Sequence, residues 1–155
     1  MMSMQHPSSE YPILLVDDEP SWLHSLSFTL EYSGGYSNLL TCSDSRELIG
    51  MLHCQPVGVV LLDLVMPHIG GEDLLVQVVQ EFPDVPVIVI SGLNQLETAV
   101  RCMKLGAFDY YVKTAEPDRL IGGINKAIGM RALQRENREL TNRLLRREYR
   151  KGWEL

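Results

Sequence analysis

The chain has 155 residues, 45% of them hydrophobic, and a formal net charge of −6. That is enough for one ordinary domain with a sizeable core, and it excludes global disorder. The charge is uneven. Residues 1–125 hold 5 Lys/Arg against 16 Asp/Glu, and residues 126–155 hold 9 against 4. The asymmetry suggests two pieces with different roles, although a solvated helix face is the plain reading of the basic end.

The opening MMSMQHPSSEYP lacks the charged-then-apolar pattern of a secretory signal. No apolar run reaches the ~20 residues that a membrane span needs. Cys42, Cys54 and Cys102 show no paired spacing, which points to a reducing compartment. The expectation is a cytoplasmic protein with a flexible tail over residues 1–11.

The first aliphatic run, Ile13–Val16, stops at Asp17-Asp18-Glu19. Pro20 suits the first turn of a helix to about Tyr32, ended by Gly34-Gly35. Ser37–Cys42 reads as a weaker strand. Ser43 or Ser45 caps a second helix, running to about Cys54. Val57–Leu62 is a third strand and Gly71–Phe82 a third helix. Val85–Ile90 is a fourth strand, and Gln95 to about Leu105 a fourth helix. Phe108–Val112 is the fifth strand. A last helix starts near Pro117, weakened early by Gly122, Gly123 and Gly129.

Continuous aliphatic strands alternating with helices predict an α/β fold with a parallel sheet covered on both faces. All C-terminal strand ends then lie on one edge, where such sheets bind ligands. Asp17 and Asp18, Asp63, Ser91 and Lys113 follow or end strands one, three, four and five. Alone, each has a plain reading: a turn and helix cap, a loop acid, a surface lysine. Together they predict one site.

Three carboxylates at one site repel. At ~4 Å and an effective dielectric of ~20, each pair costs about 4 kcal/mol. A divalent cation resolves this. Oxygen ligands without nearby His or Cys favour Mg²⁺. His6, His24, His53 and His68 lack metal-ligand spacing. A carboxylate can also attack phosphorus to give an aspartyl phosphate. Lys113, Ser91 and the metal would then each neutralise or bind a phosphoryl oxygen.

These residues resemble the receiver domains of two-component response regulators. The resemblance covers about residues 11–128 and rests on I-L-L-V-D-D-E, V-V-L-L-D-L-V-M-P, V-I-V-I-S-G and A-F-D-Y-Y-V-K, in that order. It implies a doubly wound (βα)5 fold, strand order 2-1-3-4-5, with a receiver over 12–128 and a helical extension over 129–155. It implies Asp63 as phosphoacceptor and Mg²⁺ held by Asp17, Asp18, Asp63 and the Val65 backbone carbonyl. Lys113 and Ser91 would bind the phosphoryl group, and Ser91 and Tyr110 would form the switch. A sensor histidine kinase or phosphotransfer protein would be the donor. Phosphorylation would remodel the face of helix four, strand five and helix five. No turnover beyond self-phosphorylation and slow self-dephosphorylation is implied.

Three departures from the family pattern stand out. Thr114 follows Lys113 where proline is usual, so a trans bond is expected there. Ile69-Gly70-Gly71 stands in place of Met-Asp-Gly, with little effect expected. Val65 and Leu93 are apolar at positions that flank an attacking water, which predicts slow loss of the phosphoryl group.

Met130, Leu133, Asn137, Leu140 and Leu144 are spaced 3, 4, 3, 4. That is a heptad seam with Asn at an a position, which predicts a parallel dimer; scattered leucines on a surface helix are the alternative. The face of helix four, strand five and helix five is a second dimer candidate. The extension resembles a linker to an effector, as in sigma-54-dependent activators and some cyclic-nucleotide enzymes. The chain is then a piece of a larger regulator, or else a stand-alone receiver. Glu136, Glu139 and Glu148 interrupt the basic tail, which argues against direct nucleic-acid binding. An aspartate-nucleophile phosphatase is a minor alternative, since its D-x-D arrangement and cap insertion are missing.

Overall fold

The computed structural model describes residues 11–92 and 94–153. Five strands and five helices alternate: β1 (Ile13–Val16), α1 (Pro20–Tyr32), β2 (Leu39–Cys42), α2 (Leu48–Cys54), β3 (Val59–Asp63), α3 (Gly71–Glu81), β4 (Val87–Ser91), α4 (Leu96–Lys104), β5 (Asp109–Val112) and α5 (Pro117–Trp153). The strands form one parallel sheet in the order β2-β1-β3-β4-β5, as expected.

Alternate strand residues feed two cores, as the two-residue side-chain period dictates. Leu14, Val16, Val60, Leu62 and Val89 pack with Leu48 and Leu52 of α2, Leu74 and Leu75 of α3, and Cys102 of α4. On the opposite face, Ile13, Leu15, Val59, Leu61, Ile88 and Ile90 pack with α1 and α5. Both faces of the central strands are therefore dry, and β1, β3 and β4 are buried throughout.

Pro20 occupies the first turn of α1, and Gly35 follows the helix with a φ of 70°. At the second helix the cap differs from expectation. Asp44, not Ser43 or Ser45, accepts from the Arg46 N–H and starts a single 3₁₀ turn, Ser45–Glu47, ahead of α2. Gly122, Gly123 and Gly129 do not interrupt α5, because Leu120, Ile124, Ala127 and Ile128 dock it on the sheet.

Beyond Ile128 the side chains of α5 are exposed to residue 150, apart from half-buried Arg131. That arginine donates to the Val57 carbonyl, and Arg138 pairs with Asp84. Residues 1–10 of the expected tail lie outside the described residues. Tyr11 is not loose: the guanidinium groups of Arg131 and Arg135 lie 5.1 and 5.4 Å from its ring centre.

Candidate functional site

β1 and β3 are hydrogen-bonded neighbours with Val16 opposite Leu62. Asp17 and Asp63, each one residue further on, therefore meet at the C-terminal edge of the sheet. Carboxylate oxygens of Asp17, Asp18 and Asp63 lie within 4.8 Å of one another. Asp17 and Asp63 are buried, at 2% and 5% exposure, while Asp18 opens toward solvent. The Glu19 N–H donates to Asp17 Oδ1 at 2.9 Å, and the Val65 N–H to Asp63 Oδ1 at 3.2 Å.

Lys113 follows β5 and reaches back across the edge. Its Nζ is 2.8 Å from Asp17 Oδ2 and 3.5 Å from Asp63 Oδ2. Burial works against the Lys113 charge, but Asp17 and Asp63 outweigh it, so its pKa ends above the ordinary value. The Asp63 pKa is raised, chiefly by burial; the Val65 N–H opposes the rise, Asp17 adds to it, and Lys113 opposes it.

Asp17 Oδ2 is buried and accepts no hydrogen bond of good geometry. The Lys113 ammonium at 2.8 Å compensates its charge. One ammonium thus faces three acids, and a buried oxygen keeps an unused lone pair. An all-carboxylate donor set in that state fits a hard divalent cation such as Mg²⁺.

Ser91 ends β4 and is fully buried. Its carbonyl accepts the Lys113 N–H at 2.8 Å, tying the ends of β4 and β5 together. Tyr110 is half-buried on the α2–α4 side, and its neighbour Tyr111 faces α1 and α5. Val65 is 61% exposed beside Asp63. Leu93 lies outside the described residues. There is no cis peptide bond among the described residues, so Lys113–Thr114 is trans, as expected. The structure thus brings Asp17, Asp18, Asp63 and Lys113 together, with Ser91 tied to Lys113 through its backbone. The five residues of the heptad seam lie far away on α5.

Two residues near the site carry no obvious sequence signal. Ser45, 1% exposed, donates its hydroxyl to the Pro67 carbonyl at 2.7 Å and accepts the Ile69 N–H at 3.1 Å. It brackets His68, whose φ of 75° is strained for a residue with a Cβ. The loop between Asp63 and α3 is thereby pinned to the end of β2. Gly71 closes the same loop, since a Cβ there would lie 2.3 Å from the Leu64 Cα. The other residue is Trp22, whose ring centre lies 5.0 Å from Lys113 Nζ.

Residues 13–125 match the response regulator receiver domain family. The C4-dicarboxylate transport transcriptional regulatory protein DctD of Pseudomonas aeruginosa is 36% identical over 129 residues, covering 83% of this chain and 27% of its own length. The crystal structure of NtrX from Brucella abortus superposes with a TM-score of 0.76 at 30% identity, over 86% of this chain and 30% of that one. The solution structure of the beryllofluoride-activated NtrC4 receiver domain dimer gives a TM-score of 0.71 at 32% identity, over 77% of this chain and 98% of that one. The chain spans less than a third of the length of curated relatives such as DctD. A family match from β1 into α5, on a sheet of the same order with its acids at the same edge, has one consequence: the chain belongs to the receiver domains of two-component response regulators.

Proposed function

We propose that Asp63 is the phosphoacceptor, and that Asp17, Asp18, Asp63 and the Val65 backbone carbonyl hold Mg²⁺. The observation that carries this reading is the convergence of three carboxylates within 4.8 Å, one of them 3.5 Å from a lysine ammonium. Bound Mg²⁺ supplies positive charge against the crowded carboxylates and the incoming phosphoryl oxygens. An Asp63 oxygen attacks phosphorus as the bond to the donor nitrogen breaks, and the donor imidazole departs with that electron pair. Lys113 binds one phosphoryl oxygen through its ammonium, and the Ser91 hydroxyl donates to another. Movement of Ser91 toward the phosphoryl group draws Tyr110 after it, and the face of α4, β5 and α5 changes between two states.

The donor is a sensor histidine kinase or a phosphotransfer protein, and the setting is cytoplasmic. No helix among the described residues is long and apolar enough to cross a membrane. The chain accepts and slowly loses its own phosphoryl group and turns over no other substrate. Its output is control of transcription through an effector, as the name of DctD suggests. Residues 12–128 act as the receiver and 129–155 as the helical linker. The linker pairs with a second copy through Met130, Leu133, Asn137, Leu140 and Leu144. Four of these are large apolar residues, each more than half exposed. At ~100° per residue, the docked Arg131, Arg135 and Arg138 lie roughly opposite that seam and leave it free.

The test is labelling with Mg²⁺ and acetyl phosphate. Stoichiometric, hydroxylamine-labile label that disappears in Asp63→Asn is the expected result. Label that survives the substitution, or sustained turnover of free phosphomonoesters, refutes the assignment.

A further inference from the structure

We infer that Trp22 is a positioning residue for Lys113, holding its ammonium beside Asp63 when Asp17 is drawn to a cation. The inference rests on the phosphoacceptor reading above.

Lys113 Nζ lies against Asp17 Oδ2 at 2.8 Å, Asp63 Oδ2 at 3.5 Å and the Trp22 ring at 5.0 Å, and the Glu19 charge acts on it more weakly than those of Asp17 and Asp63. The lysine side chain is only 18% exposed, so water does not solvate it fully. Its nearest partner is also the buried carboxylate oxygen with unused lone-pair capacity. Lysine and a divalent cation therefore compete for Asp17. When the cation takes that carboxylate, a largely desolvated ammonium loses its closest counter-charge, which is costly without a replacement.

The surroundings offer the ring as that replacement. A cavity of about 160 Å³ lies on the far side of Lys113, lined among others by Trp22, Leu26, Ile90, Tyr111 and Pro117. No carboxylate lines it. Trp22 packs half-buried against the core between α1 and α5, so its ring is held in place. The face of an indole attracts a cation, and more strongly when the cation is desolvated. A lysine resting between the ring and Asp63 is already placed to meet oxygens added to Asp63. An aliphatic side chain at residue 22 fills the space but leaves the charge unanswered.

Beryllium fluoride, which stands in for the phosphoryl group, separates these roles. Its affinity at saturating Mg²⁺ is measured by calorimetry on the full chain, and Mg²⁺ alone is titrated separately. Trp22→Leu weakens beryllium fluoride binding about three- to tenfold, and weakens binding of Mg²⁺ alone as well, because the ring also steadies the ammonium that the cation deprives of Asp17. Trp22→Phe restores part of the loss. In a Lys113→Met background, Trp22→Leu has no further effect, because the interaction it removes is already gone. Trp22→Met, which also fills the site without a ring face, gives the same reading if the Leu variant does not fold. Unchanged beryllium fluoride affinity in the ring-less variants overturns the inference and leaves the phosphoacceptor reading standing. An equal loss of either affinity in the Lys113→Met background also overturns it, since that marks Trp22 as simple packing. Failure of the wild-type chain to bind beryllium fluoride, or equal binding by Asp63→Asn, overturns the phosphoacceptor reading and this inference with it.

Discussion

Burial lifts the Asp63 pKa above the ordinary carboxylate value; the Val65 N–H opposes this, the Asp17 charge reinforces it, and Lys113 opposes it. A carboxyl whose folded pKa exceeds its unfolded value of 3.8 holds its proton more tightly in the native state. Its stabilising contribution is complete below that value and is lost as pH rises through the folded pKa. At neutral pH, ionised Asp63 therefore lowers the stability of the metal-free chain. Asp63→Asn in chelator is expected to be more stable at pH 7, by about 1 kcal/mol, with the gain shrinking as pH falls toward 3.8. Urea melts at several pH values check this, and a gain independent of pH contradicts it. Val65 calls for a kinetic measurement. It is 61% exposed beside Asp63 and carries no group that can orient water. Val65→Asn is expected to speed loss of the phosphoryl group by up to about tenfold. A phosphoprotein lifetime of seconds in the wild-type chain contradicts the slow loss on which that expectation rests. Asp63 itself was legible, because an acid closing a fully aliphatic run has few structural uses. The contact of Trp22 with Lys113 was not, because its helical spacing with Leu23 and Leu26 reads as core and its distance from Lys113 depends on the folded sheet.

The loop from Asp63 to α3 is held by one serine hydroxyl on an adjacent element. Ser45 bonds both sides of His68, and removing it frees a strained backbone and leaves the half-buried Ile69 N–H without its acceptor. Ser45→Ala is expected to cost about 1–3 kcal/mol and to slow phosphoryl acceptance, although Asp63 is untouched. Urea melts and the rate of acetyl phosphate labelling test it; wild-type values of both remove the clamp from the mechanism. At this scale the sequence was readable wherever a punctuating residue was unambiguous. Pro20 marked the start of α1, and the Gly34-Gly35 pair followed its end. It misled where punctuation was redundant. Ser43, Asp44 and Ser45 are all good caps, so spacing could not choose Asp44 or release Ser45 for the loop. The glycines of α5 leave the expected helix unbroken, because their cost per residue is small beside the burial of Leu120 and Ile124.

Strand order across the whole molecule was legible through the resemblance to receiver domains; right-handed crossovers between buried parallel strands narrow the arrangements without selecting that one. How α5 continues past the receiver was not. The contacts of Arg131 with Val57 and of Arg138 with Asp84 join parts of the chain more than fifty residues apart, and neither partner advertises the pairing. These contacts fix the rotation of the helix and hence the direction in which its apolar stripe faces. Met130, Leu133, Leu140 and Leu144 are 53%, 62%, 55% and 61% exposed. An isolated helix of this length is marginal in water unless its apolar face is covered. In the proposed dimer a second copy would cover it with the same stripe, and Asn137 within the seam would select a register at some cost in stability. The full chain is therefore expected to sediment as a dimer at about tens of micromolar. Leu140→Glu places like charges across the two-fold seam and is expected to give a monomer with the receiver still folded. Asn137→Leu is expected to raise dimer stability while loosening the choice of partner number. A wild-type monomer in that range, or a Leu140→Glu dimer as tight as wild type, rejects the seam. If the Leu140→Glu dimer holds and Val100→Glu or Met103→Glu on the partly exposed face of α4 breaks it, the contact lies on the face of α4, β5 and α5 instead.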